Sequence, residues 1–328
     1  MRNGKRFEKI YLAASVDVEE EGLFSGSYDC LNPKIANAPN LARLIPLLDQ
    51  GLKPTLFCSH AALTDKTARA TIDRLRKRGE LEIGAHLHHW NTPPLASGSK
   101  AVVRRVPASE ISDENFAKKL RFLLREAADF KGEKIASFRM GRWDLHPCRF
   151  PILAENGVLC DASVRPLHRG ATPERGADHF FAPKTPFRVR AGEREIFEVP
   201  VTATPLHPDL ERLPPFLRSG LKNWGLLTLL PVEHPLWLLK LTAKTSLARG
   251  NRVLSLAWHS SELMPGGSPR MRDEREVNNF IKKISAWVAW LEDNYNVIHT
   301  TMSGLRDALS SSVPLVSGDG TWREIAAP

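Results

Sequence analysis

The sequence predicts an α/β protein built as a distorted (β/α) barrel, a single domain with a helical insertion. Three observations carry this. Short, β-branched apolar runs alternate with longer helix-period stretches along almost the whole chain. Polar residues fall at the C-terminal ends of those runs: Asp17, His86, Arg139, Asp161 and His259. No glycine-rich phosphate loop follows the first run, as a dinucleotide-binding open sheet would require. An open sheet would spread these strand ends along a line; in a barrel they converge on one face.

The expected strands are Lys9–Val16, Lys53–Ser59, Leu81–His86, Lys134–Phe138, Val158–Ala162, Glu195–Val201, Arg252–Trp258 and Asn296–Thr301. Between them the 3.6-residue period predicts helices over Asn40–Gln50, Thr64–Arg78, Ser112–Phe130 and Arg272–Asp293. Asn40 is the expected cap of the first, and Gly51 and Gly79 follow the first two. Strands separated by helices pair in parallel through right-handed crossovers. The barrel is expected over residues 1–310, interrupted by an insertion at 202–248, with a loose polar tail at 311–328.

A chain of 328 residues with 42% hydrophobic and 25% charged content buries a full core. The net charge of +9 invites an anionic partner. Nucleic acid is not expected, because no zinc finger, helix-turn-helix or basic-aromatic motif accompanies the charge. Cys30, Cys58, Cys148 and Cys160 form no C-x-x-C pair and read as reduced thiols. Met1–Lys9 is basic without an apolar signal core, and no run of about 18 apolar residues occurs. The cytoplasm is the default expectation. The insertion is rich in Leu and Trp, from Leu221 to Leu230 and from Pro235 to Lys240. It reads as helices packed on the barrel. The sharper alternative is an interfacial element over 221–244, with Leu227, Leu229, Trp237 and Leu238 in the acyl boundary and Lys222, Lys240 and Lys244 at anionic headgroups.

Four motifs carry chemistry. Asp17-Val18-Glu19 ends a strand, so alternation puts both carboxylates on one side; one can hold a metal while the other takes a proton from water. Glu82-Ile-Gly-Ala-His86-Leu-His88-His89-Trp90 brings three imidazoles within four residues directly after an apolar strand. Imidazole is the usual nitrogen ligand for zinc and similar ions. Two His and one carboxylate, with positions left open, make a catalytic rather than a structural site. Arg139 and Arg142, flanking Gly141, can hold and orient a catalytic carboxylate. His259, ending an apolar strand, is placed to protonate a leaving amine. Trp90, Trp143 and Trp258 offer apolar walls for a sugar ring.

In order, these motifs together with Asp161-Ala-Ser-Val resemble the polysaccharide deacetylase superfamily (carbohydrate esterase family 4), over roughly residues 10 to 305. The resemblance implies a distorted (β/α) barrel and a divalent metal, commonly zinc. It implies Asp17 as base and Glu19 as metal ligand, displaced by one residue from the family's second aspartate. His86 is the first His ligand. The family's second stands at i+4, which here is Trp90, so the choice falls on His88 with His89 in reserve. Arg139, with Arg142, holds Asp17, and His259 is the general acid. Trp90, Arg142, Trp143 and Asp161 are expected against the substrate. Asp17-Val-Glu19, Gly84-Ala-His86 and Val199-Pro-Val-Thr202 are similar to the superfamily's cytoplasmic lipid-linked-sugar deformylase branch. The implied activity is removal of an N-acetyl or N-formyl group from an amino sugar, nucleotide- or lipid-linked, with peripheral placement at the inner membrane face. The rivals are an allantoinase-like C–N hydrolase and a non-catalytic sugar- or lipid-binding barrel.

Overall fold

Strand β1 (Lys9–Val18) is buried along nearly its whole length, as a parallel strand covered on both faces must be. The computed structural model describes residues 9–95, 98, 100–168, 176–206 and 226–325. From β1 a parallel series runs through β2 (Thr55–Cys58), β3 (Glu82–Leu87), β4 (Ser137–Met140) and β5 (Cys160–Asp161). A hairpin of β6 (Phe187–Ala191) and β7 (Arg194–Glu198) follows, with β7 parallel to β5. On the other side of β1 lies β8 (Val253–His259), while β9 (Asn296–Thr300) pairs only with the N-terminal half of β1. The circle closes irregularly. Thr202 N–H donates to the Ser255 carbonyl at 3.2 Å, and Ala257 N–H donates to the Leu229 carbonyl at 3.2 Å, in place of a continuous ladder. This is the distorted (β/α) barrel the strand pattern predicts.

Alternation sorts the side chains. Ile10, Leu12, Ala14, Val16 and Val18 join the large core under the helices, together with Ile83, Ala85, Leu87, Phe138, Met140, Leu254, Leu256 and Trp258. The residues out of phase with these, Ser15, Asp17, Phe57, Gly84, His86, Arg139, Ala257 and His259, turn to the barrel interior. The registers agree: Asp17 lies beside both Phe57 and His259, and His86 beside Arg139.

Helices α1 (Ile45–Asp49), α2 (His60–Thr64), α3 (Lys66–Arg76), α4 (Asp113–Lys131), α5 (Phe150–Glu155), α6 (Leu236–Ala248), α7 (Glu274–Asn294) and α8 (Met302–Leu309) account for the expected helical stretches and add others. Ser112 and Asp273 cap α4 and α7 with their side chains. Asn40 does not cap: the chain enters α1 through a 3₁₀ stretch, Ala38–Leu44, and Asn40 accepts from Arg43 inside it. The helix expected at Thr64–Arg78 is α3, which begins at Lys66 with Asp65 as its cap; α2, immediately before it, is not among the expected helices.

Strand β6 is not among the expected runs, because its alternating arginines leave few apolar residues to count. The tail expected to be loose is docked over 311–325. β10 (Leu315–Val316) pairs with β6, β11 (Glu324–Ile325) pairs with β10, and buried Trp322 meets the rings of Phe150, Phe187 and His179. Of the insertion, Ala203–Pro205 and Leu226–Thr228 form a small antiparallel pair, followed by α6. Leu227 and Leu229 are buried, so neither is available to a lipid surface, and Trp237 is exposed. Lys222 and the rest of 207–225 lie outside the described residues. No helix among the described residues is long and apolar enough to cross a membrane.

Candidate metal centre and active site

Glu19 follows β1, and His86 and His88 come from the end of β3. One ligand atom from each lies within 4.8 Å of the others. Glu19 Oε2 is 3.1 Å from His86 Nε2 and 3.2 Å from His88 Nε2. The donor set suits a divalent ion such as zinc: one carboxylate and two imidazoles, all buried. Each ring is anchored at its other nitrogen. His86 Nδ1 donates to the Arg139 carbonyl at 3.1 Å, and His88 Nδ1 donates to Glu20 Oε1 at 2.8 Å. With the protons held there, both Nε2 lone pairs are left for an ion. His89 turns the other way and bonds the Val106 carbonyl at 3.0 Å.

Asp17 stands beside this cluster. Arg139 Nη1 donates to its Oδ1 at 2.6 Å, while Nη2 bonds Ser15 Oγ and Nε bonds the Ala162 carbonyl. The guanidinium, fully buried and 4.4 Å from the centre of the Phe57 ring, is therefore fixed on every side. Asp17 Oδ2 is left facing the site, 4.0 Å from His86 Nε2 and 3.9 Å from His259 Nε2. His259 repeats the anchoring pattern, with Nδ1 on Glu262 Oε1 at 3.2 Å and Nε2 4.0 Å from Glu19. Burial opposes the charge on His259, but Glu19 and Glu262 outweigh it and push the imidazole up to about 10. Burial also opposes the charge on Glu19; His259, His86 and His88 outweigh it and hold the carboxyl well below the usual range.

Above the cluster opens a cavity of about 440 Å³. Trp90, Arg142 and Trp143 line it, together with Phe24, Tyr28 and Arg165. Arg142 and Trp143 both have positive φ, 59° and 52°, an unfavourable backbone for side-chain-bearing residues that marks this wall as strained. Arg142 does not join Arg139 on Asp17; its guanidinium lies 5.8 Å from the centre of the Tyr28 ring. Asp161 is a correction. It is fully buried, pairs in register with Phe138 and Glu198, and bonds Ser163. It sits at a strand end but in the outward phase, so it cannot meet a substrate in the cavity.

Two residues escaped the sequence reading, Glu20 and Glu262. Each is buried, and each fixes a site imidazole. The signal for Glu262 was its place three residues after His259 in a turn; Glu20 was hidden in the acidic run that follows Glu19.

No family model and no curated protein sequence matches the chain. Solved structures share its fold. A protein from Mycobacterium smegmatis assigned as a polysaccharide deacetylase superposes with a TM-score of 0.59 at 17% identity, covering 98% of this chain and 96% of that one. A Pseudomonas aeruginosa PAO1 protein with the same assignment gives 0.56 at 12% identity, covering 93% and 92%. PuuE allantoinase gives 0.54 at 13% identity, covering 94% and 92%. At such identities the likeness is one of fold: a deacetylase-type (β/α) barrel.

Proposed function

We propose that this chain is a metal-dependent hydrolase that removes an N-acyl group, acetyl or formyl, from an amino sugar. One observation carries the reading. Three imidazoles, each anchored through Nδ1, turn Nε2 toward one point between Asp17 and Glu19 at the floor of an aromatic-walled cavity. Glu19, His86 and His88 would hold a divalent ion, zinc being the best fit to that set, which would polarise the acyl oxygen and acidify water. Asp17, fixed by Arg139 and with Oδ2 open, takes the proton of the attacking water. His259, anchored through Nδ1 to Glu262 with Nε2 toward the site, gives a proton to the departing amine, which leaves poorly without it. Tyr28, Trp90 and Trp143 present the apolar surfaces against which a sugar ring packs.

The test is metal content of the purified protein together with amine release from acetylated and formylated amino sugars, free, nucleotide-linked and lipid-linked. Stoichiometric metal and release of amine from at least one class are expected. Absence of bound metal under metal-replete conditions sinks the reading and leaves a sugar- or lipid-binding barrel. Allantoin in the same panel addresses the second hydrolase reading, which the fold shared with an allantoinase keeps in play. Turnover of allantoin alone would favour it.

The carrier of the sugar bears on location. Exposed Trp237 on α6 is the feature that favours contact with an anionic membrane. Lys240 and Lys244 pack over Trp290 on the same helix pair. On this reading the protein works in the cytoplasm at the inner membrane face. Co-sedimentation with anionic vesicles, lost in Trp237→Asp, is the expected result; no binding by the wild type rejects the membrane and leaves a soluble substrate.

A further inference from the structure

We propose that Glu20 is a positioning residue of the metal centre: it holds the His88 proton on Nδ1 and fixes the ring so that Nε2 faces the ion. This deepens the metal-hydrolase reading and rests on it. Glu20 is one residue out of phase with Glu19 and approaches His88 from the side away from Glu19. Only 1% of it is exposed. Its Oε1 accepts from His88 Nδ1 at 2.8 Å and from Asn91 Nδ2 at 2.5 Å. A carboxylate so deeply buried is costly unless it is hydrogen-bonded. Both of these bonds go to the segment that ends β3 and carries the His ligands.

The rest of the His88 surroundings serve the same placement. Trp90 stacks on the ring, with centroids 4.2 Å apart and planes 21° apart. Gly141 leaves room at its edge, since a Cβ there would collide with His88 Cδ2. The two His ligands therefore differ in kind. His86 is oriented by a main-chain carbonyl, which no substitution of a side chain removes directly. His88 is oriented by a side chain, so its hold on the metal can be altered by one substitution.

The experiment measures Zn²⁺ and Co²⁺ dissociation constants by chelator competition for the wild type, Glu20→Met and Glu20→Gln. Met keeps the volume and removes the acceptor; Gln retains an amide oxygen that can accept. Outer carboxylates on ligating imidazoles are worth about 10- to 100-fold in metal affinity. Glu20→Met is expected to lose that much and to change the Co²⁺ absorption spectrum, with Glu20→Gln losing less. A general structural role would lower the thermal midpoint of the metal-free protein and leave affinity in the folded fraction unchanged, which overturns the proposal. If Glu20→Met does not fold, ¹⁵N NMR of the zinc-loaded wild type reads the tautomer. A proton on Nδ1 and metal on Nε2 of His88 support the assignment; the reverse overturns it. A wild type that takes up no metal overturns the metal centre itself, whereas undiminished affinity in a metal-binding Glu20→Met protein overturns only the role of Glu20.

Discussion

An imidazole anchored at one nitrogen has a single lone pair left to offer, and the direction of that lone pair is then set by the anchor. For His86 and His88 it points at Glu19; for His89 the bonded nitrogen faces Val106. Metal content should therefore fall sharply in His86→Ala and in His88→Ala and stay at the wild-type level in His89→Ala. Elemental analysis of the three proteins checks this, and an empty site in His89→Ala alone would reverse the assignment. Asp17→Asn is expected to keep its metal and lose about 10²- to 10⁴-fold in turnover, because an amide cannot accept the water proton. Loss of metal with turnover would make Asp17 a ligand. Asp17, Glu19, His86, His88 and His259 were legible as one cluster because strand alternation is a local rule. Asp161 was misread when its place at a strand end was allowed to outweigh its phase. Glu20 and Glu262 were not legible as anchors: the first acts across strands, and the second acts through a 3₁₀ turn whose geometry spacing does not give.

Between β2, β3 and β4 the packing leaves no room at Gly84. A Cβ there would come within 2.6 Å of Phe57 Cδ1 and of Ser137 Oγ. The Phe57 ring in turn supports the Arg139 guanidinium, which holds Asp17. Gly84→Ala is thus expected to destabilise the protein by about 1–3 kcal/mol through overpacking. It should also lower turnover beyond any loss of folded protein, because Arg139 must shift. Urea unfolding and activity per folded molecule measure the two effects; a variant equal to wild type in both would mean that the strands part without cost. The elements themselves divide by how local their signals are. Helices α4 and α7 carry their caps and apolar stripes in their own sequence and were readable from it. β10 and β11 are two residues each and exist because β6 and the Trp322 anchor lie beside them, which spacing alone does not disclose. The closure of the barrel by Thr202 and Leu229 is of the same nonlocal kind.

Opposed titrations govern the stability of the whole molecule when it is free of metal. His179 is buried and His89 half-buried, and loss of solvation pushes each imidazole from 6.5 down to about 4. Between those values the unfolded chain binds more protons than the folded one, so stability falls as pH drops from about 6.5 toward 4. His88 and His259 run the other way. Burial opposes their charge, but Glu20 and Glu19 around His88, and Glu19 and Glu262 around His259, raise each from 6.5 to about 10. Their contribution is complete below 6.5 and is lost as pH rises through about 10. These four imidazoles alone place the highest thermal midpoint of the metal-free protein close to pH 6.5; Glu198, whose carboxyl burial and Asp161 raise well above its usual range, adds stability that is lost as pH rises and so moves the optimum to lower pH. Metal changes one limb only. A ligating imidazole must give up the proton on its binding nitrogen, so loading releases protons and removes the alkaline loss that His88 contributes. The optimum of the loaded protein should move upward while the acid limb, set by His89 and His179, stays where it was. Scanning calorimetry from about pH 4 to about pH 10, with chelator and with zinc, measures both curves. A chelated protein whose midpoint still climbs toward pH 9, or a metal-loaded one with an unshifted optimum, would contradict the charge arrangement drawn around His88 and His259.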